Sequence, residues 1–268
     1  MALPATMSAV GLSKTGSLDD IEEFKFPVPS PSPTQILIKA SGSSQRPRIS
    51  QFVDGTDLPR DLPFPFAPGV DCLGTIVALP TDEGALSDGE YRVRGFAVGG
   101  KVVSASGAGI GGAGTFAEYL VAEWSDVFPV PDGISDRTVI ASFAAERRGP
   151  RPHRRAHGGG RRRARASGRG VHAIFDGVGR DTFETDLACI RVKGTIVWLG
   201  FASGLVEPFA PHITGLKAVN AVAYSLDKKA GGEYVAEVFR LVASGAYKPV
   251  VYEEYPFSAV GVRETERL

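Results

Sequence analysis

Short hydrophobic runs separated by glycine and proline dominate the first half of the chain. Ile36–Ala40 and Val70–Leu79 have this pattern, and shorter runs follow at Lys101–Ala105, Phe116–Val121 and Val127–Val130. Short β-rich segments at such spacing are typical of compact barrels and sandwiches. Gly74, inside the second run, indicates a bulge or bend. The pattern predicts a β-rich domain over residues 1–130.

A strand–helix–strand pattern follows between Val171 and Gly204. The β-rich runs Val171–Phe175 and Thr195–Leu199 flank a segment whose apolar positions recur at helical spacing, namely Phe183, Leu187 and Ile190. Asp181 is the expected N-cap of that helix. The length of the unit fits a right-handed parallel crossover, which needs roughly 30 residues.

Each of these two predicted strands ends in a turn that contains glycine, Asp176–Gly179 and Gly200–Gly204. Open α/β sheets bind ligands at the carboxyl ends of parallel strands, where glycine lets the backbone approach closely. The two turns together favour a nucleotide site, although ordinary strand–helix loops would look the same.

Three further elements are predicted outside this unit. Ser135 and Asp136 begin a helix through Ala145. A second helix occupies Gly231–Gly245, with Val235, Val238, Phe239 and Val242 on one face and a glycine at its end. Lys248–Glu253 has the composition of a short strand.

Composition places the chain among soluble proteins of two domains. It has 268 residues, 43% of them hydrophobic, and no apolar run approaches the roughly 20 residues that span a bilayer. A cytoplasmic protein is therefore expected. Cys72 and Cys189 lie in apolar surroundings and are expected to be buried small side chains, with neither a disulfide nor a metal between them.

The charge is unevenly distributed, although the formal total is zero. Residues 147–170 contain ten arginines and no acid, which leaves 20 basic and 30 acidic residues elsewhere. This insert has no apolar side chain larger than alanine, so it is predicted to be disordered. His153 and His157 lie within it without a cysteine or an acid, which argues against a metal site. The arginines could contact phosphates, but an unstructured linker is the favoured interpretation.

A glycine motif of the form GxGxxG occurs at Gly107, Gly109 and Gly112, directly after a predicted strand. A dinucleotide fingerprint of this form should open a helix. The residues that follow alternate as a strand does, so a hairpin connection is the favoured interpretation.

Separated blocks of sequence, in one order across most of the chain, carry a resemblance. They are PSPSPTQILIKA (29–40), PFAPGVDCLGTIVA (65–78), GTFAEYLV (114–121), FPVPDGIS (128–135), VHAIFDGVG (171–179), KGTIVWLGFASG (193–204) and FRLVASGAYKPVVYEEYPFS (239–258). In this order they resemble the zeta-crystallin-like quinone oxidoreductases, the zinc-free branch of the medium-chain dehydrogenase/reductase superfamily. Pro68-Gly69-Val70-Asp71 stands where the zinc-dependent members carry a PGHE-type motif, so no metal is expected.

The resemblance implies an α/β fold. A GroES-like β domain, residues 1–130 with 246–268 returning to it, would pack on a truncated Rossmann-like doubly wound parallel sheet, residues 131–245, with the active site in the cleft between them. The cofactor would be NADPH, and it would supply the hydride chemistry. Asp176, Gly177, Val178 and Gly179 would line the nicotinamide ribose, and the backbone of Gly200, Phe201, Ala202 and Ser203 would contact the nicotinamide. No catalytic residue is identified.

Three departures from the family predict impaired NADPH binding and activity. The AxxGGxG pyrophosphate loop and two strand–helix units should follow Ala145, and they need at least about 60 residues, whereas the insert has 24. Ser41–Asp57 lacks the family's asparagine near the nicotinamide, and the final helix and GK motif are absent after Ser258. Loss of a reading frame or an exon would explain all three.

Two functions follow as hypotheses. The first is an NADPH-dependent oxidoreductase that transfers hydride to a quinone or an α,β-unsaturated carbonyl, and relatives commonly form homodimers through their cofactor domains. The second is a non-catalytic protein whose arginine-rich insert binds RNA or other polyanions weakly and without sequence preference, because no aromatic residues interleave the arginines.

Overall fold

The structure is a computed structural model that describes residues 3–44, 64–69, 71–104, 114–146, 170–200, 203–209, 217–220, 228–251 and 253–266. The chain divides into two compact units, Met1–Ala144 with Asp227–Leu268, and Ala145–Leu226. The arginine-rich residues 147–169, both of their histidines and the GxGxxG glycines lie outside the described residues. In the described part of the chain, no helix is both long and apolar enough to cross a membrane.

The first unit is built on antiparallel strands. The hairpin β1 (Thr6–Leu12) and β2 (Ile21–Pro27) adjoins a five-stranded sheet in the order β6-β3-β4-β5-β7. The strands of that sheet are β3 (Gln35–Ser44), β4 (Asp71–Ala78), β5 (Lys101–Ser104), β6 (Tyr119–Glu123) and β7 (Val127–Pro129). The β-rich character predicted for the first half of the chain is therefore confirmed.

Gly74 lies on β4, opposite Ala40 of β3. A Cβ atom at this position would lie 2.3 Å from the carbonyl oxygen of Lys39. The pairing of the two strands shifts register beside it, between Ala40 and Gly42. The irregularity predicted from this glycine is thus present. A side chain at this position would push the two strands apart, which explains why glycine occupies it.

Helices cover the five-stranded sheet on its two faces. On one face, α1 (Glu83–Ser87) and α2 (Gly89–Arg94) contribute Ala85 and Tyr91 to a core of strand residues. On the other face, α3 (Asp136–Glu146) and α5 (Lys228–Ala243) place Val139, Val235 and Phe239 against the sheet. The α4 helix belongs to the second unit and is described below.

The C-terminal helix α6 (Ala259–Glu266) packs on the β1–β2 hairpin. Val262 is buried there, and Arg263 Nη2 donates a hydrogen bond of 2.5 Å to the carbonyl of Ile21. The expectation that no helix follows Ser258 is therefore wrong. The predicted strand at Lys248–Glu253 is also wrong, because its described residues pair with no other strand and Val250 is 87% exposed.

The second unit contains a parallel sheet. Its order is β10-β9-β8, where β8 is Val171–Asp176, β9 is Ile190–Trp198 and β10 is Lys217–Asn220. The α4 helix (Arg180–Cys189) connects β8 to β9 and covers one face. The strand–helix–strand unit, and with it the mixed fold of a β-rich domain and a parallel sheet, is confirmed.

The opposite face of this sheet is exposed. Phe175, Val197 and Val219 lie in one row across the three strands, and Phe175 and Val219 are 70% and 45% exposed. Parallel sheets are usually covered on both faces, so this apolar row is unusual. Exposed apolar strand residues promote aggregation.

Replacing Phe175 by threonine is expected to lower binding of an apolar dye and light scattering on heating. The change in the free energy of unfolding should stay within about 0.5 kcal/mol, because the side chain is exposed and threonine suits a strand. Phe183→Ala, which removes a ring from the buried face of the same unit, provides the contrast and should cost about 3–5 kcal/mol. Equal losses of unfolding free energy in the two variants would show that the side chain of Phe175 is covered in solution.

Candidate functional site

The carboxylate of Asp176 organises the turn at the end of β8. It is buried, with 5% of the residue exposed. Its Oδ1 accepts a hydrogen bond of 2.9 Å from the amide of Val178, and its Oδ2 accepts one of 2.9 Å from the amide of Gly179. The hydroxyl oxygen of Thr182, in the first turn of α4, lies 3.0 Å from Oδ1. The side chain is therefore fully engaged in holding its own turn and the start of the helix.

Gly179 caps α4, which corrects the prediction that Asp181 does. Its backbone φ angle of 87° lies in the positive range, which favours glycine. Asp181 lies in the first helical turn with its side chain exposed, 3.6 Å from Arg180. Because β8 ends at Asp176 and a tight turn follows, α4 already begins at Arg180, and Asp181 therefore lies inside the helix and not at its N-cap.

The second turn, after β9, is hydrogen-bonded to the first. Ser203 donates to the carbonyl of Val178 through both its amide (2.8 Å) and its hydroxyl (2.7 Å). The carbonyl of Asp176 accepts a bond of 2.7 Å from the amide of Leu199. The described residues of the two turns are thus joined by hydrogen bonds at the carboxyl edge of the parallel sheet, where open α/β sheets bind ligands.

The N-terminal amides of α4 are used within this arrangement. Arg180 N donates to the carbonyl of Gly204 (3.1 Å), and Asp181 N donates to the hydroxyl of Ser203 (3.0 Å). The amides of Thr182 and Phe183 donate to the carbonyl of Gly179. A helix N-terminus binds phosphate through free amides, so this one is not arranged as a phosphate site.

The structure brings the predicted residues of both turns together, as far as it describes them. Asp176 is the last residue of β8, and Gly177, Val178 and Gly179 follow it; Gly200 and Ser203 follow β9. Phe201 and Ala202 lie outside the described residues. The role of the whole set in cofactor binding stays a prediction.

Sequence reasoning missed Thr182 and Asp186, which both face the buried side of α4. Asp186 is 9% exposed, and burial, together with the charge of Asp176, raises its pKa to about 7. A signal was present, since Asp186 falls on the apolar stripe between Phe183 and Leu187, where a carboxylate is out of place.

The described residues contain no group of three or more histidine, cysteine, aspartate or glutamate side chains placed to hold a metal ion. Cys72 and Cys189 are both buried, and neither forms a disulfide within the described part of the chain. Burial raises the pKa of the Cys72 thiol to about 12, so this group is not a nucleophile at neutral pH.

Two protein families match the chain in sequence. The family described as "Alcohol dehydrogenase GroES-like domain" matches residues 32–132, and the family described as "Zinc-binding dehydrogenase" matches residues 154–261. The Escherichia coli protein "Quinone oxidoreductase 1" is 32% identical over 96 residues, which is 34% of this chain and 29% of that protein. In the domains that it matches and in these aligned residues, the chain resembles the quinone oxidoreductase-like medium-chain dehydrogenases/reductases.

A second relative agrees with that assignment. The Salmonella typhimurium "Quinone oxidoreductase" is 29% identical over 107 residues, or 38% of this chain and 33% of that protein. In both cases the matched segment spans about a third of the relative's length or less.

Solved structures show that this quinone oxidoreductase-like chain shares their fold over most of its length. A mycobacterial protein in complex with NADPH is 21% identical with a TM-score of 0.72, covering 97% of this chain and 95% of that one. The Escherichia coli quinone oxidoreductase complexed with NADPH is 17% identical with a TM-score of 0.70, covering 96% and 95%. The GroES-like β domain and the Rossmann-like parallel sheet expected from the sequence are therefore confirmed.

Proposed function

We propose that this protein is an NADPH-dependent oxidoreductase that transfers hydride to a quinone or an α,β-unsaturated carbonyl. The observation that carries the proposal is the pair of hydrogen-bonded turns at Asp176–Gly179 and Ser203–Gly204. The relatives named as quinone oxidoreductases, and the neighbours whose structures contain NADPH, support the choice of cofactor and acceptor.

The residues of the two turns fit the nicotinamide half of such a cofactor. The backbone approaches the edge of the sheet closely at Gly179 and Gly204, which both have positive φ angles. The side chain of Asp176 and the amides of Arg180 and Asp181 are engaged within the protein. A neutral ribose or amide therefore suits this surface better than a phosphate. Bound NADPH would supply the hydride, and these residues would orient its nicotinamide end.

The pyrophosphate should be held weakly. The sequence between Glu146 and Val171 lacks an AxxGGxG motif, and the N-terminus of α4 does not replace it, because its amides are occupied. We therefore expect NADPH to bind less tightly than proteins with a complete glycine-rich loop bind it.

Titration of the full chain with NADPH, followed by nicotinamide fluorescence, tests the proposal. We expect saturable binding that Ser203→Ala weakens by about tenfold, because the hydroxyl no longer donates to the carbonyl of Val178 or accepts from the amide of Asp181. Ser244→Ala, directly after α5, removes a hydroxyl that donates to the carbonyl of Leu241 at the end of that helix and should leave binding unchanged. Oxidation of NADPH by 1,4-benzoquinone or an enone then identifies the acceptor. Absence of saturable binding at millimolar NADPH would refute the proposal.

A further inference from the structure

Asp186 is a buried carboxyl that the proposed function does not use. It lies on α4 with 9% of its surface exposed, and its Oδ2 is buried without a hydrogen-bond partner. An unpaired buried carboxylate is costly, so such a residue is either neutral or under strain. Its presence in the core of the second unit therefore requires an explanation.

The position of Asp186 connects it to the turn after β8. Thr182 precedes it by four residues, so both side chains lie on the same face of the helix, about 5–6 Å apart at Cβ. The hydroxyl of Thr182 contacts the carboxylate of Asp176. Trp198, which pairs with Asp176 across the sheet, has a buried Nε1 without a hydrogen-bond partner. Two carboxyl groups thus share a buried region beneath the turn.

Few other charges reach this region. The described elements that pack against α4 carry five ionisable groups: His172 and Asp176 on β8, Arg191 and Lys193 on β9, and Glu207 beyond β9. The α4 helix itself carries Arg180, Asp181, Glu184 and Cys189 besides Asp186. His172 and Arg191 contact each other at 3.0 Å, and Arg180 contacts Asp181. The charge that acts on Asp186 is that of Asp176, and it adds to the effect of burial.

We propose that Asp186 is a positioning residue whose neutral carboxyl keeps the Asp176–Gly179 turn in place and whose ionisation loosens it. Asp186 acts through Asp176, because a second negative charge in the same buried region repels the carboxylate that binds the amides of Val178 and Gly179. Where the turn holds NADPH, which rests on the proposed function, affinity for the cofactor falls as the pH rises.

The direction of the pH effect follows from the pKa of Asp186. In the folded protein it is raised from the ordinary value of 3.8 to about 7. The stabilisation due to the neutral form is fully present below about pH 4 and is lost as the pH rises to about 7. In the folded state the carboxyl ionises around pH 7, so this is where the turn loosens.

The test follows the amide resonances of Val178 and Gly179, and the side-chain carboxyl carbon of Asp186, by NMR of the full chain between pH 5.5 and 8.5. We expect the carboxyl carbon and both amides to titrate together near pH 7, and the amide titration to disappear in Asp186→Asn. Glu184→Gln, an exposed carboxylate on the same helix, is the matched control and should leave the titration unchanged. NADPH affinity should fall by about tenfold from pH 6.0 to 8.5 in the wild type and by less than about twofold in Asp186→Asn.

The phosphate of NADPH contributes its own pH dependence, which is the same for both proteins. The difference between the wild type and Asp186→Asn therefore reports the effect of Asp186. A carboxyl carbon of Asp186 that titrates near pH 4 would overturn the proposal, and this measurement needs no variant. Amides that titrate identically in Asp186→Asn would overturn it as well. If the amides follow Asp186 but NADPH does not bind at any pH, the proposed function fails and the coupling between Asp186 and the turn stands.

Discussion

Replacing Arg94 by alanine is expected to lower the free energy of unfolding by about 3–5 kcal/mol. The guanidinium of this residue, at the end of α2, joins the segment around β7 to the start of α5. It donates to four backbone carbonyls, those of Trp124, Ser125, Val127 and Lys228. It also lies 4.5 Å from the ring centre of Phe128. The alanine variant leaves these carbonyls without their donor.

Arg92→Ala is the matched control for Arg94→Ala, because it removes an exposed arginine from the same helix. Its Nε makes one bond, to the carbonyl of Leu86, so the loss should stay within about 0.5 kcal/mol. Arg94→Lys retains the positive charge but lacks the planar guanidinium with its several donors, so it should lose most of the stabilisation that Arg94 provides. Urea unfolding of the three variants measures the differences. Similar midpoints for Arg92→Ala and Arg94→Ala would show that the carbonyls find water when the guanidinium is removed.

The contacts of Arg94 illustrate what the sequence could not predict. The strands were visible, because their apolar runs are short and bounded by glycine and proline. The α5 helix was visible too, because Val235 and Phe239 recur on one face. Such a stripe shows that a helix has a buried side, but it does not show which surface covers that side. Here the partners include Leu73 and Val103, more than 130 residues away in sequence.

At Asp181 and at Lys248–Glu253, the local sequence signal did not decide the structure. Asp181 has the chemistry of an N-cap, yet the amides at the start of α4 bond to the carboxylate of Asp176 and to Ser203. Lys248–Glu253 has the composition of a strand, yet a strand requires a neighbour, and Val250 has none among the described residues. In both cases the local preference was real, and contacts with distant residues decided the outcome.

The candidate site was predictable in outline for a simple reason. Glycine, aspartate and serine in the turns after two apolar strands indicate where a parallel sheet presents its carboxyl edge. The inward direction of the Asp176 side chain was not predictable, because an aspartate in such a turn can face either the ligand or the protein. The structure shows the second arrangement, with 5% of the residue exposed. Asp176 is therefore expected to act on a ligand through the backbone that it holds.

This arrangement leads to a prediction for Asp176→Ala. Loss of the carboxylate leaves the amides of Val178 and Gly179 without their acceptor, so the turn should lose its fixed conformation. NADPH affinity should fall by about 30-fold or more, which corresponds to roughly 2 kcal/mol, within the cost of leaving buried donors unsatisfied. Fluorescence titration measures the affinity, and a thermal melt shows whether the unit still folds.

Two variants show whether the effect belongs to the carboxylate and its hydrogen bonds. Thr182→Val removes one of the three donors to Asp176 and should weaken NADPH binding by a smaller factor, about three- to tenfold. Asp181→Asn neutralises an exposed aspartate in the first turn of α4 and should leave affinity within about twofold of wild type, because surface charges contribute little. The expected order of affinity is wild type and Asp181→Asn, then Thr182→Val, then Asp176→Ala. A folded Asp176→Ala variant that binds NADPH as tightly as the wild type would exclude the turn after β8 from the cofactor site, since no other side chain among the described residues bonds to both amides.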